Sequence, residues 1–236
     1  MTASLADKAY KALKKDIIQC SLEPGQQIVQ SQLSETYGIG ATPLREALQR
    51  LAQEGFVRAV PRFGYIVIPV TLRDVREIFE LRAVIESAAA RLAAVRGSDR
   101  ELEKLEANAK FSYVYGDKES YSHFLSQNVE FHRSVAVAAG NRRMVDVLSA
   151  LLEEMTRIFH LGLDLRDSAA EMREEHIELT DALSDRDPDR AEQIVRDQID
   201  ASQQRILEAL TRRRGLGSGD GLQVDLSPSG AERGAG

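Results

Sequence analysis

Two short helical patterns with only Gly38-Ile39-Gly40 between them, and two β-rich runs directly behind, leave this chain few folds to choose from. Ser31–Tyr37 keeps Leu33 and Tyr37 on one side, and a new helix opens at Thr42-Pro43 with Leu44, Ala47, Leu48 and Leu51 as its apolar stripe. Thr42 is expected to cap that helix, and Pro43 suits its first position because no N–H is needed there. Gly55 stops it. The runs Phe56–Val60 and Tyr65–Val70 flank Pro61-Arg62-Phe63-Gly64, which is a hairpin signal. An earlier helix, with Leu5, Ala9, Leu13 and Ile17 inward, runs to about Cys20 and is ended by Leu22-Glu23-Pro24-Gly25. Three helices and a hairpin predict a winged helix-turn-helix over residues 3–70, its helix-turn-helix at about 30–49. The second helix of such a motif is the one laid in a DNA major groove.

From Thr71 the pattern changes to long amphipathic helices with no strand signal. The spacing predicts helices at roughly 71–96, 99–115, 118–139, 141–162, 168–185 and 188–212, joined by short loops. The fold class is therefore mainly α: an N-terminal winged helix-turn-helix plus a C-terminal antiparallel helical bundle over 72–212. Residues 213–236 are rich in Gly and Ser and are expected to be a disordered tail.

Charge divides along the same boundary. Residues 1–70 carry eight Lys/Arg against six Asp/Glu, whereas 71–236 carry 23 against 31, so contact with a polyanion belongs to the first third. No apolar run is long enough to span a membrane, and the N-terminus has no secretory leader, which predicts a cytoplasmic protein with no membrane partner. The single cysteine, Cys20, suits a reducing compartment and a plain packing role. No phosphate-binding glycine loop, nucleophile elbow or His-Glu-x-x-His run is present, so an enzyme is not expected.

With Leu44, Leu48 and Leu51 inward, Thr42, Arg45 and Gln49 project outward. Arg45 can pair bidentately with a guanine edge, and Thr42 with the helix N-terminal amides suits a phosphate. Arg62 and Gly64 sit at the hairpin tip, where a minor groove or backbone is within reach. Taken alone, Arg45 and Arg62 read more readily as solvated surface charge.

In the bundle, Asn128 and His132 stand four apart on a face with Leu125, Val135 and Ala139. His176 shares a face with Met172, Leu179 and Leu183, and Gln198 one with Ala191, Ile194, Val195 and Ser202. Buried polar groups need partners. A metal, an anionic ligand or a mutual hydrogen-bond network would each supply them. His123 and His160 fall outside this pattern, as surface or ordinary core histidines.

The elements Leu22-Glu23-Pro24-Gly25, Gln32-Leu33-Ser34-Glu35-Thr36-Tyr37-Gly38, Thr42-Pro43-Leu44-Arg45-Glu46-Ala47-Leu48-Gln49-Arg50-Leu51 and Glu54-Gly55-Phe56, in that order, resemble the GntR family of winged-helix regulators. The resemblance implies DNA contacts from Ser31, Gly40, Thr42, Pro43, Arg45, Gln49, Arg62 and Gly64. Relatives carry Ser-Arg-Thr-Pro at the turn, where this chain has Gly40-Ala41-Thr42-Pro43. The missing arginine implies an altered operator preference and weaker binding with a shallower salt slope.

Leu81-Arg82-Ala83-Val84-Ile85-Glu86, Asn128-Val129-Glu130-Phe131-His132, Gly140-Asn141 and Glu175-His176 resemble the C-terminal domain of the FadR branch, in its six-helix, VanR-like (FCD-type) form. That likeness implies an effector pocket of Arg82, Asn128, His132, His176 and Gln198. It also implies a divalent metal, Zn²⁺ or Ni²⁺, on Asn128, His132 and His176, with Gln198 where a further histidine is usual. Two amides in place of a carboxylate and an imidazole weaken such a site, which favours a metal-free polar pocket. Arg82 is open to two readings: a clamp for an effector carboxylate, or an intrahelical pair with Glu86. The family further implies a homodimer on a double-stranded operator, a small organic acid as effector, and repression relieved by that effector, with the link near Thr71–Asp74 as hinge.

Overall fold

The structure, a computed structural model, describes residues 4–162 and 167–216. Helix α1 (Leu5–Ile18) opens with a capping box, the Asp7 N–H donating to Ser4 Oγ at 3.0 Å while the Ser4 N–H donates back to the Asp7 carboxylate at 3.3 Å. It ends two residues short of Cys20, which sits at φ +56° and turns the chain. Ala9, Leu13 and Ile17 are buried as expected, but Leu5, the first residue of the helix, is 59% exposed.

Strand β1 (Gln27–Ile28), helix α2 (Gln30–Tyr37), helix α3 (Ala41–Gln53) and strands β2 (Val57–Val60) and β3 (Gly64–Val67) complete the first unit. The expected hairpin is a three-stranded antiparallel sheet in the order β1-β3-β2, with Ile28 opposite Tyr65 and Ala59 opposite Tyr65 on the other side. β3 also stops at Val67 instead of reaching Val70. Gly64 is required by this sheet: its φ is +90°, and a Cβ there would stand 2.8 Å from the Ile28 carbonyl oxygen. Leu33, Leu44, Leu48, Leu51, Phe56 and Val67 close one core with the α1 stripe.

α3 begins one residue earlier than the sequence suggests. Gly40 is its N-cap and no side chain caps it, so Thr42 is not the cap and Pro43 is the third helical residue. Pro43 is tolerated there because the first-turn N–H groups have no intrahelical acceptor anyway.

Six helices follow: α4 (Leu72–Arg96), α5 (Asp99–Ala107), α6 (Lys118–Ala138), α7 (Arg142–Gly162), α8 (Ala169–Ser184) and α9 (Pro188–Leu216). α4 lies mainly along α9 and also touches α6, α7 and α8, which makes it the spine of the bundle. Thr71 and Asp74 form the capping box that starts it. α5 ends at Ala107, eight residues before the expected 115, because the following segment is held by tertiary contacts: the Ser168 N–H donates to Tyr113 Oη at 3.0 Å, and Phe111 and Tyr113 both lie against Phe124. α9 runs to Leu216, past the residue 212 where the bundle was expected to end, and the rest of the expected tail lies outside the described residues.

The two units touch through α1 and α7. Lys14 reaches both Glu54, at the end of α3, at 3.0 Å and Glu153, on α7, at 2.6 Å. One turn on, the Arg157 guanidinium donates to the Ile68 carbonyl, just past β3.

Candidate DNA interface and effector pocket

The outer face of α3 carries the residues that the core does not use. Ala41, Thr42, Arg45 and Gln49 are exposed, Pro43 is half-buried, and Gly40 and Ser31 are exposed beside them at the starts of α3 and α2. With glycine as cap, the amides of Ala41 and Thr42 have no capping side chain as acceptor. Arg50, by contrast, lies with its guanidinium 3.6 Å from the centre of the Tyr10 ring and is spent on the domain itself. At the hairpin tip, Arg62 (φ +68°), Phe63 and Gly64 are exposed, and the Phe63 carbonyl accepts from Gln27 Nε2 at 2.8 Å. Gly64 therefore serves the sheet first, whatever it contacts outside.

In the bundle, Arg82, Asn128, His132, His176 and Gln198 come from α4, α6, α8 and α9, are all buried, and line one cleft of about 310 Å³, open mouth included. Phe159, Met172 and Ile199 form its apolar wall, and Ser202, Glu175 and Arg205 its remaining polar lining. Two residues of its wall, Arg82 and His132, meet at Glu86, which is buried behind the lining. Arg82 Nε donates to Glu86 Oε1 at 2.6 Å, and Glu86 Oε2 stands 2.8 Å from His132 Nδ1. Burial alone would push the Glu86 carboxyl up, but Arg82 and His132 beside it outweigh that and bring it down to about 2. Toward the mouth, Arg205 holds Glu175 with two hydrogen bonds of 2.7 and 3.1 Å.

Glu86 was not expected as a site residue, although its place one turn after Arg82 was visible. Of the two readings of Arg82, the pair with Glu86 is the one seen. The intrahelical pair forms, yet it is buried, and it uses Nε while Nη1 has no partner at all. Asn128 Oδ1 and His176 Nδ1 are likewise buried without partners. His176 is held neutral, first by burial and then by the nearby His132, and its ring contacts Phe131 and Phe111. His123 is exposed, and His160 is a half-buried ring against Tyr121 whose pKa burial lowers to about 4.

The donor set is a poor one for a transition metal. Gln198 Nε2 is given to the Glu175 carbonyl, Asn128 brings only a neutral amide, and the Arg82 cation stands on the same wall. Among the described residues no cluster of three His, Cys, Asp or Glu is arranged to hold an ion.

Residues 5–67 match the model of bacterial regulatory proteins of the gntR family, and residues 77–201 that of the FCD domain. The chain belongs to the GntR family, with an FCD domain as its helical part. The regulator is 24% identical over 194 residues to the HTH-type transcriptional repressor RspR of Escherichia coli K12, covering 82% of this chain and 85% of that one. It is 28% identical over 207 residues to the HTH-type transcriptional repressor GlaR of the same strain, covering 84% and 94%. Its fold is similar to that of E. coli McbR/YncC, with a TM-score of 0.71, 23% identity, and 90% and 100% of the two chains covered. It is thus a DNA-binding regulator of transcription and not an enzyme. Among the described residues no helix is long and apolar enough to cross a membrane.

Proposed function

We propose that the regulator is a cytoplasmic repressor that binds a two-fold operator as a homodimer and is controlled by a small organic acid held in the bundle cleft without a metal. One winged helix reads too few base pairs for genomic specificity, and a two-fold dimer doubles the site. Ser31, Gly40 and the α3 amides position the domain on phosphates; Thr42, Arg45 and Gln49 read bases, with Pro43 fixing the turn; Arg62 and Gly64 bring the hairpin tip to the backbone.

The observation that carries the effector reading is the unpartnered Arg82 Nη1, which belongs to a guanidinium only 3% exposed on the cleft wall. A buried cationic donor with nothing to donate to is costly, and a carboxylate oxygen completes it. His132, His176 and Gln198 shape the rest of the cleft.

Thermal shift of the whole chain with a panel of small carboxylates, in the presence of a chelator, tests this. The reading predicts stabilisation by at least one acid, lost on Arg82→Gln. Stabilisation that appears only with added Zn²⁺ or Ni²⁺ would contradict it.

A further inference from the structure

At the tip of the hairpin, between Arg62 and Gly64, Phe63 is 63% exposed. A lone exposed apolar residue needs no explanation by itself. This one is held out by a fixed backbone. The Phe63 N–H donates to the Val60 carbonyl at 3.0 Å, closing a turn in which Pro61 takes the second place. The Phe63 carbonyl accepts from Gln27 Nε2 on β1 at 2.8 Å. Arg62 and Gly64 on either side both have positive φ, and Gly64 lies against the Ile28 carbonyl too closely for a Cβ. The ring is thus presented to solvent on a rigid support.

Its surroundings are those of a polyanion contact. From Phe56 to Val70 the chain has two arginines, Arg58 and Arg62, and no acidic residue, in a protein of net charge −6. Both arginines are exposed, and neither has an acidic partner among the described residues. β2 packs on α3, so a duplex seated on α3 has its neighbouring groove within reach of the tip. Resting on the reading of α3 in an operator's major groove, we propose that Phe63 is an apolar wedge: it enters the adjacent minor groove, parts one base step and bends the operator. Arg62 beside it holds the phosphates. A wedge driven from the minor-groove side bends the duplex toward the major groove, and so around α3. Parting a step costs least at TA and CA/TG steps. Phe63 therefore adds a sequence preference where no side chain reads a base edge.

For the test, the full chain selects its sites from a random-sequence duplex library, and the selected duplexes are the probe. Bending is read by energy transfer between end labels, and the parted step by permanganate reactivity of its thymines. The chain is expected to bend these duplexes by at least about 20° per half-site, with one reactive step beyond each α3 contact. Phe63→Ala should bind about tenfold more weakly, leave the duplex straight and select sites without the flexible step. Phe63→Leu, still an apolar wedge, should keep part of the bend. Straight duplexes, or a bend and reactive step that persist in Phe63→Ala, would overturn the wedge and leave operator reading standing. No enriched duplex at all would overturn both.

Discussion

Glu86 lies between Arg82 and His132, and that makes it sensitive to acid in a defined direction. Its carboxyl is held at about 2, so the stability it contributes is present above the usual carboxylate pKa of about 4.5 and is lost as pH falls from there toward 2. His160 and His176 act earlier. Both are kept neutral by burial, so the unfolded chain binds more protons below pH 6.5, and stability declines from 6.5 downward, for His160 toward about 4. Urea midpoints at pH 7, 5.5 and 4 should fall in that order, and His160→Gln should flatten the part above pH 4; a flat profile in the native chain would contradict this account. Glu86→Gln leaves Arg82 buried without its counter-charge and should cost about 3–5 kcal/mol in urea unfolding at pH 7. On the DNA side, Ala41 is exposed as the first residue of α3. Ala41→Arg should tighten operator binding and steepen the slope of log K against log salt by about one phosphate contact, read by fluorescence anisotropy.

At the scale of elements, what was visible in the sequence and what was not divides by the range of the forces involved. α1, α4, α6, α7 and α9 follow from local periodicity, because the buried stripe and the helix signal coincide, while the capping boxes at Ser4 and Thr71 became visible only in the structure. The stripe faces also sufficed to name Asn128, His132, His176 and Gln198 as inward. β1 was invisible because two residues carry no period; only Ile66 and Tyr65 of a strand far along the chain make Gln27 and Ile28 a strand. The early end of α5 has the same cause, since Tyr113 and Phe111 are claimed by α8 and α6. Glu86 could have been found from its i,i+4 place after Arg82, but that both would be buried depends on the packing of α4 against α9. Gly64→Ala tests the sheet directly. Its positive φ and the 2.8 Å approach to the Ile28 carbonyl predict a loss of at least about 1–2 kcal/mol in unfolding of the N-terminal unit, followed by circular dichroism.

For the whole molecule, Lys14 ties the DNA-binding unit to the bundle. Its ammonium bridges Glu54 and Glu153 and is partly shielded, which makes it worth more than a free surface pair but still only about 1 kcal/mol. Glu153→Gln should therefore leave each unit folded while making their unfolding less concerted, seen as a broadened calorimetric transition. α7 is placed to sense the cleft as well, since Phe159 lines it while Glu153 and Arg157 face the other unit.

The central claim is that α3 reads an operator through Arg45. Fluorescence anisotropy with the DNA upstream of the regulator's own reading frame, against a scrambled duplex of equal length, tests it most directly. The account predicts a steeply salt-dependent preference for the upstream DNA, and a loss of about 1–3 kcal/mol of that preference in Arg45→Ala with scrambled DNA bound nearly as before. An Arg45→Ala variant that keeps the full preference would contradict it.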